Sequence, residues 1–356
     1  MDVGGMLRRM IEEGASDLHI RVPSPPILRI DGELVSMQGL PPVAAKDVEM
    51  IFERIATPEQ RSNLLKEMDT EFAYSVPGLA RFRVSAMRQR GTLSIAFRAV
   101  PFDVPTIEGL GVPEVCKKIV TEKRGLVLIT GSAGSGKSAT MAAMINHLNK
   151  TMTRNVIIME EPIEYLHSND KCIIAQRDIG DDAKSLAYAL RHILHHDPDV
   201  IVIGDMADTD TISAAIKYAE SGHLVIATIH TEGADETIER IIDMYPFENQ
   251  SLVRSQLSQM IVAVISQKLL TRIEGKGRVA AFEIMVNNQE IKDLIAEGKT
   301  KEIREIMERN VAGMQTMEQS LAELVKNKAV DKEEASISSM HPDKLEELLK
   351  DKESKV

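Results

Sequence analysis

Eight consecutive residues carry the densest chemistry in the chain. Gly131, Ser132, Ala133, Gly134, Ser135, Gly136, Lys137 and Ser138 follow the apolar run Gly125–Thr130 and precede Ala139–Ile145. The order is strand, small-residue turn, helix start, with the spacing G-x-x-x-x-G-K-S. Small residues let backbone N–H groups converge on a phosphate, and the helix N-terminus, opened by Ala139, adds partial positive charge. Lys137 has the reach for β- and γ-phosphates, and the Ser138 hydroxyl suits Mg²⁺. ATP and Mg²⁺ are the expected cofactors. A second apolar run, Asp197–Ile203, leads through Gly204 to Asp205, a carboxylate at a strand end. A carboxylate there can hold a metal or its water shell, or position an attacking water. His192 and His196, four apart beside His195, have the spacing of a zinc pair but lack an intervening glutamate and a nameable third ligand.

These groups must be positioned by a sheet. Apolar runs at 126–130, 155–159, 200–203 and 224–229 alternate with helical patterns at 139–149, 183–195, 209–220 and 233–242. Val/Ile-rich strands between helices predict a parallel sheet covered on both faces. Within 183–195, Ala183, Leu186, Ala187, Leu190, Ile193 and Leu194 read as core positions of one helix. Upstream the pattern changes. A short amphipathic helix is expected over 6–13, a hairpin around Asp31-Gly32, a helix near 47–52, and another opened by Thr57-Pro58. Two strands, 80–87 and 93–98, set arginines against apolar residues in alternation, which a half-solvated sheet face also produces. Prolines 101, 105 and 113 with Gly109 and Gly111 mark a linker. Beyond Glu283 the chain reads as mostly helical. Asp331 and Pro342 open two short helices, and a charged tail follows.

Composition narrows the class. The 356 residues, 43% hydrophobic and 27% charged, describe a globular chain of about two domains. A net charge of −11 argues against nucleic acid as a partner. Two cysteines, Cys116 and Cys172, cannot build a disulfide framework or a tetracysteine zinc site. The N-terminus has no signal-like pattern and no apolar run is of spanning length, so a cytoplasmic protein is expected.

Four ordered boxes carry a resemblance: Gly131–Ser138, Glu160-Glu161-Pro162-Ile163-Glu164, Asp197–Met206 and Gly222–Thr231. They resemble the Walker A, Asp-box, Walker B and His-box series of the secretion-superfamily ATPases. Ala15–His19, Arg29–Gly32, Arg81–Arg83, Arg278–Ile284 and Gly313–Thr316 extend the match along nearly the whole chain. The branch that these boxes resemble most is the type IV pilus retraction ATPases, the PilT/PilU family. The missing tetracysteine module also favours that branch over extension and secretion ATPases. The resemblance implies an α/β fold: a PAS-like α+β domain (1–100), a linker (101–113), a RecA-like ATPase core (114–285) and a helical C-terminal region (286–356). It implies a homohexameric ring with ATP between subunits, peripheral at the inner membrane through the pilus machine's platform protein. A paralogous pilus ATPase is a further expected partner.

Roles follow from the same resemblance. Asp205, Glu161 and Glu164 would be catalytic carboxylates, with His230 near the γ-phosphate. Arg191 belongs to the motif Ala189–His195, and Arg81, Arg83 and Arg98 would face a neighbour's nucleotide. His223 shares the His box but reads equally as a core histidine. The departures are specific. The family's Gly-Glu-[Met/Ile]-Arg-Asp is Gly204-Asp205-Met206-Ala207-Asp208 here; its Glu-Asp-Pro is Glu160-Glu161-Pro162. A second arginine is replaced by His195, and Glu290–Glu297 lacks both arginines of the branch motif. Two functions stay open: a pilus-retracting ATPase motor driving twitching motility, or an ATP-binding accessory subunit with weak hydrolysis.

Overall fold

The computed structural model describes residues 1–30, 32–100, 103–275 and 277–350. Asp31 of the expected hairpin, Pro101 of the expected linker and the last six residues of the tail lie outside the described residues. The chain divides into two units, one of residues 1–103 with 162–166 and 178–182, the other of the remainder.

The N-terminal unit contains α1 (Val3–Glu12), β1 (Asp17–Arg21), β2 (Ile27–Ile30), β3 (Glu33–Ser36), α2 (Ala45–Ile55), α3 (Pro58–Glu67), β4 (Asp69–Val76), β5 (Ala80–Gln89) and β6 (Thr92–Val100). Its sheet runs β3-β2-β1-β6-β5-β4 with every pairing antiparallel. Thr57 caps α3 as its type predicts: its Oγ1 accepts from Gln60 N at 3.3 Å while Gln60 Oε1 accepts from Thr57 N at 2.9 Å. β5 buries Phe82, Val84 and Ala86 and turns Arg81, Arg83 and Ser85 to the other face. Strand β4 escapes the sequence reading. It alternates Thr70 and Phe72 inward with Asp69 and Glu71 outward, and its charge hides the period. Residues 178–182 join this unit through polar contacts: Ala73 N–H donates to Asp181 Oδ2 at 2.9 Å, and Arg81 Nη2 lies 3.0 Å from Asp178 Oδ2.

The second unit begins with α4 (Ile107–Leu110) and α5 (Val115–Val120), so a short helix capped by Thr106 stands inside the proline-rich stretch. There follow β7 (Gly125–Thr130), α6 (Lys137–Thr151), β8 (Asn155–Glu160), β9 (Ile173–Asp178), α7 (Leu186–His192), β10 (Val200–Ile203), α8 (Thr209–Glu220), β11 (Leu224–Ile229), α9 (Ala234–Asp243) and α10 (Phe247–Met260). Then come β12 (Ile261–Thr271), β13 (Arg278–Val286), α11 (Gln289–Glu297), α12 (Ile303–Glu308), α13 (Met317–Lys326), α14 (Lys332–Ser338) and α15 (Pro342–Lys350). The sheet order is β13-β12-β7-β11-β10-β8-β9. β12, β7, β11, β10 and β8 pair in parallel, and β13 is antiparallel to β12. Every residue of β7, β10 and β11 is buried, as expected of a sheet covered on both faces.

Two differences from the sequence reading have physical causes. β12 follows α10 with no intervening loop and no glycine or proline between them, so nothing in the sequence punctuates the boundary. The helix expected over 183–195 is instead α7, capped by Ser185, followed by a 3₁₀ turn at Ile193–His196. The tighter turn rotates Leu194 out, leaving it 43% exposed. Ala187 is exposed and Leu186 half-buried, while Ala183, Leu190 and Ile193 are core as expected.

Ile226 sits at the centre of this sheet, paired with Val127 on one side and Val202 on the other, and is fully buried. Ile226→Ala should lower unfolding free energy by about 2–5 kcal/mol in urea titration. Leu34→Ala on exposed β3 should stay within about 0.5 kcal/mol. Equal effects would contradict this account of the core.

Candidate nucleotide site

The phosphate loop is shaped by what stands behind it. Thr130 Oγ1 at the end of β7 donates to Ser266 Oγ of β12 at 2.8 Å. The next residue, Gly131, has φ +143°, and a Cβ there would lie 2.4 Å from the Gln267 carbonyl oxygen and 2.5 Å from Ser135 Oγ. At Gly136, φ +91°, a Cβ would lie 2.8 Å from Gln267 Nε2. Gln267 is itself fixed by Thr140 Oγ1 of α6, which donates to its Oε1 at 2.6 Å. Both glycines are therefore demanded by a backstop that the sequence pattern does not signal.

The turn fits a phosphate. Ser132, Ala133 and Gly134 are exposed, Ser138 and Ala139 half-buried, and the buried Ser135 hydroxyl has no hydrogen-bond partner among the described residues. Lys137, only 8% exposed, curls back so that Nζ donates to Gly131 O at 2.8 Å and Ser132 O at 3.0 Å. The ammonium also stands 3.3 Å from His230 Nδ1. An ammonium has no acceptor, so Nδ1 accepts and the ring proton sits on Nε2. That nitrogen faces Asp205 Oδ1 at 3.7 Å.

Asp205 and His230 are positioned by neighbouring strand ends. Gly204 N–H donates to Met159 O at 2.8 Å, continuing β10 along β8, and Met206 N–H donates to Thr228 O at 2.9 Å on β11. The Thr228 hydroxyl closes onto the Gly204 carbonyl. A Cβ on Gly204 would come within 3.1 Å of Glu160 Cα, so the Walker B glycine allows close approach to the end of β8. Glu160 is buried there, and Glu161 beside it is exposed. Neither Thr228 nor Gln267 was singled out from the sequence. Thr228 had a signal, being a polar residue inside an apolar strand; Gln267 had none.

Lys137, His230 and Asp205 thus form a row on the sheet's C-terminal edge, beside Ser138 at the start of α6. Hydroxyl and carboxylate oxygens are of the type that suits Mg²⁺. Other expected residues stand elsewhere. Arg191 is exposed on α7; its Nε donates to Ala187 O at 3.3 Å and its guanidinium lies over the Tyr188 ring. Arg81, Arg83, Arg98 and Glu164 belong to the N-terminal unit. There Arg81 pairs with Asp178, Arg83 with Glu71, and Arg98 with Asp17 at 2.8 Å. Burial raises Asp178 above the usual carboxylate range, though Arg81 opposes this. Asp17 is held below that range despite burial, by Ser16 and Arg98. Arg83, Arg98 and Glu164 line one cavity of about 360 Å³.

His223 precedes β11, at the end away from His230, with Nδ1 3.0 Å from Ser221 Oγ and 3.1 Å from Tyr218 O. It braces a turn. Among the described residues there is no group of three His, Cys, Asp or Glu side chains that could hold a metal. Nor is any described helix long and apolar enough to cross a membrane.

Gly131→Ala drives a methyl into a backbone carbonyl at a φ that alanine avoids. Calorimetry should show ATP affinity reduced at least roughly tenfold, about 1.4 kcal/mol, with circular dichroism unchanged. Unaltered affinity would contradict the phosphate-loop geometry.

A model of the type II/IV secretion system protein family matches residues 2–333. The chain is 41% identical over 344 residues to the type IV pilus retraction ATPase PilT of Pseudomonas aeruginosa, covering 96% of this chain and 99% of that one. Identity is 37% over 336 residues to the type IV pilus ATPase PilU of the same organism, covering 94% and 88%. A crystal structure of the pilus retraction motor PilT with bound ADP superposes with a TM-score of 0.91 at 37% identity, covering 98% of this chain and 99% of that one. With the phosphate loop, the strand-end carboxylate and the histidine all in one row, the chain belongs to the type II/IV secretion system family of ATPases.

Proposed function

We propose that this protein is a Mg·ATP-hydrolysing motor that powers pilus retraction and so twitching motility. The observation that carries the reading is the row Lys137–His230–Asp205 on the sheet edge, in a chain similar to PilT over its whole length. Lys137 exchanges its loop carbonyls for β- and γ-phosphate oxygens, and the 131–136 amides cradle them. Ser138, with Asp205 directly or through water, would hold Mg²⁺, which when bound would supply charge neutralisation on the transferring group. Asp205 and Glu161 orient the attacking water, and His230, facing Lys137 through Nδ1, reads the γ-phosphate region.

The proposed assembly is a homohexameric ring, in which Arg81, Arg83 and Arg98 serve a neighbouring subunit's nucleotide, with Glu164 and Arg191 completing the site. Each of the three arginines is paired with a carboxylate of its own chain, so reaching a phosphate requires an exchange of partner. The working units are the PAS-like domain 1–100, linker 101–113, RecA-like core 114–285 and helical region 286–356. The partners are the inner-membrane platform protein of the pilus machine and a paralogous pilus ATPase; no nucleic acid is involved. The protein works in the cytoplasm, peripheral to the inner membrane. One observation favours a second reading, an accessory subunit of weak hydrolysis: Asp205 is a methylene shorter than the family's glutamate.

A pilated strain lacking this gene should fail to retract pili, and Lys137→Ala should fail to restore retraction under fluorescence imaging. Restoration by that variant would sink the motor reading. Steady-state ATPase assays address Asp205. A displacement of about 1 Å can cost on the order of a hundredfold in rate. Asp205→Glu should therefore raise kcat with little change in ATP affinity, and Asp205→Glu with Glu161→Asp should exceed either single change. If the unaltered protein turns over fastest, the site is tuned around aspartate and the accessory reading loses its support.

A further inference from the structure

Glu283 is a charged side chain in the wrong solvent. It lies on β13, is 6% exposed, and faces the start of two helices at once. Its Oε1 accepts from Ala234 N–H, the first residue of α9, at 2.9 Å. Its Oε2 accepts from Met317 N–H, the first residue of α13, at 3.4 Å. Both helix N-termini therefore direct their partial positive charge at one carboxylate. Ala234 is four residues past His230, and the stretch between is short and internally bonded. Thr231 Oγ1 lies 2.6 Å from Thr237 Oγ1, Thr237 Oγ1 donates to Gly233 O at 2.6 Å, and Glu232 N–H donates to Glu236 Oε2 at 2.9 Å. The α9 start and the histidine are thus joined by a short, hydrogen-bonded stretch.

A second link runs parallel to the first. Lys268 of β12 pairs with Glu232 at 2.9 Å and donates to the carbonyl of Ser338, the last residue of α14, at 3.1 Å. The same loop is therefore tied to the C-terminal helices by a carboxylate on one strand and an ammonium on the next.

We propose that Glu283 is a positioning residue for His230, clamping the 231–234 loop to the N-terminus of α13 so that the C-terminal helices and the nucleotide site move together. The proposal rests on the reading of His230 as part of the ATPase site. The clamp is strongest with Glu283 ionised, because a protonated oxygen is a poorer acceptor and the longer bond, to Met317, is the first to yield. Burial pushes this carboxyl up to about 7, against the two backbone N–H groups and Arg304 of α12, which favour its charge; Asp235 of α9 adds to the rise. The other nearby charge on α13, Glu318, is itself paired with Arg304. With the folded value raised above the usual 4.5, Glu283 takes stability away as pH rises from about 4.5 to 7, and the loss is complete above that. Clamping and stability thus change in opposite directions across the same window.

The test uses the purified full chain. Glu283→Gln keeps the shape but presents an amide N–H₂ to one of the two donors. At pH 8 it should lower kcat on the order of tenfold while leaving the Kd for a fluorescent ADP analogue unchanged, and the kcat limb near pH 7 in the unaltered protein should vanish. Glu283→Asp should recover part of kcat. If Glu283→Gln folds poorly, Lys268→Met breaks the outer link without emptying the core and should show the same kcat loss at constant Kd. Unchanged kcat in both variants, or a Kd change without a kcat change, overturns the clamp. An unaltered protein without ATPase activity overturns instead the underlying reading of the site.

Discussion

The in-register parallel pairing of β8, β10, β11 and β7 is the constraint from which the site follows. Val156 opposes Val200, Val200 opposes Leu224, and Leu224 opposes Gly125, so the strands run abreast and end within two residues of one another. β7, β10 and β11 are apolar and buried along their whole length, so polar side chains gather where the strands stop. Gly131 and His230 directly follow β7 and β11, Glu160 closes β8, and Asp205 lies two residues past β10. No loop has to search for its partner, because the ladder delivers each strand end to the same edge.

Lys137 shows how that edge is held in tension. A buried ammonium is costly unless its donors are met, and here the carbonyls of the loop it must serve meet them. Those carbonyls are neutral, whereas a phosphate oxygen is charged and makes the stronger, charge-assisted bond. The lysine is thereby solvated by the protein in a form that a phosphate can displace. The arginines of the N-terminal unit follow a similar logic with carboxylates as partners. Arg98 is largely exposed although Asp17 is buried, and an ion pair with one solvated member is of modest strength. A planar guanidinium released from it can bond a phosphate through two parallel N–H groups.

Legibility followed the reach of the physics. Strand, turn and helix at 125–151 are local features with local causes, so they were readable, as were the Thr57 cap and the strand-end position of Asp205. β4 was missed because its outward residues are charged, and β12 because an apolar run leaves α10 without punctuation. Leu194 was assigned to the core because a 3.6-residue period was continued into a turn of period three. Gln267 and Glu283 were invisible for a deeper reason. Glu283 meets backbone N–H groups 49 and 34 residues away, and Gln267 stands against two glycines and the Thr140 hydroxyl of a distant segment, contacts that carry no local sequence signal.

The departure at Asp205 can be weighed against that geometry. Asp205 Oδ1 and His230 Nε2 are separated by 3.7 Å, past the usual limit for a hydrogen bond, so their attraction is coulombic. Both side chains are about half exposed, so water screens the pair. An aspartate here is held loosely and has one fewer rotor to order than a glutamate would. A glutamate would add about 1.5 Å of reach, enough either to bond His230 directly or to extend past it toward a water on the phosphate. Which of these it does depends on the histidine. Nδ1 is committed to Lys137 while that lysine rests on the loop; on the proposed function, phosphate binding would draw the ammonium away. The charge facing His230 then changes, and with it the pull on whatever carboxylate stands at Nε2. Carboxylate length and lysine position therefore act on one variable, the orientation of a single imidazole ring.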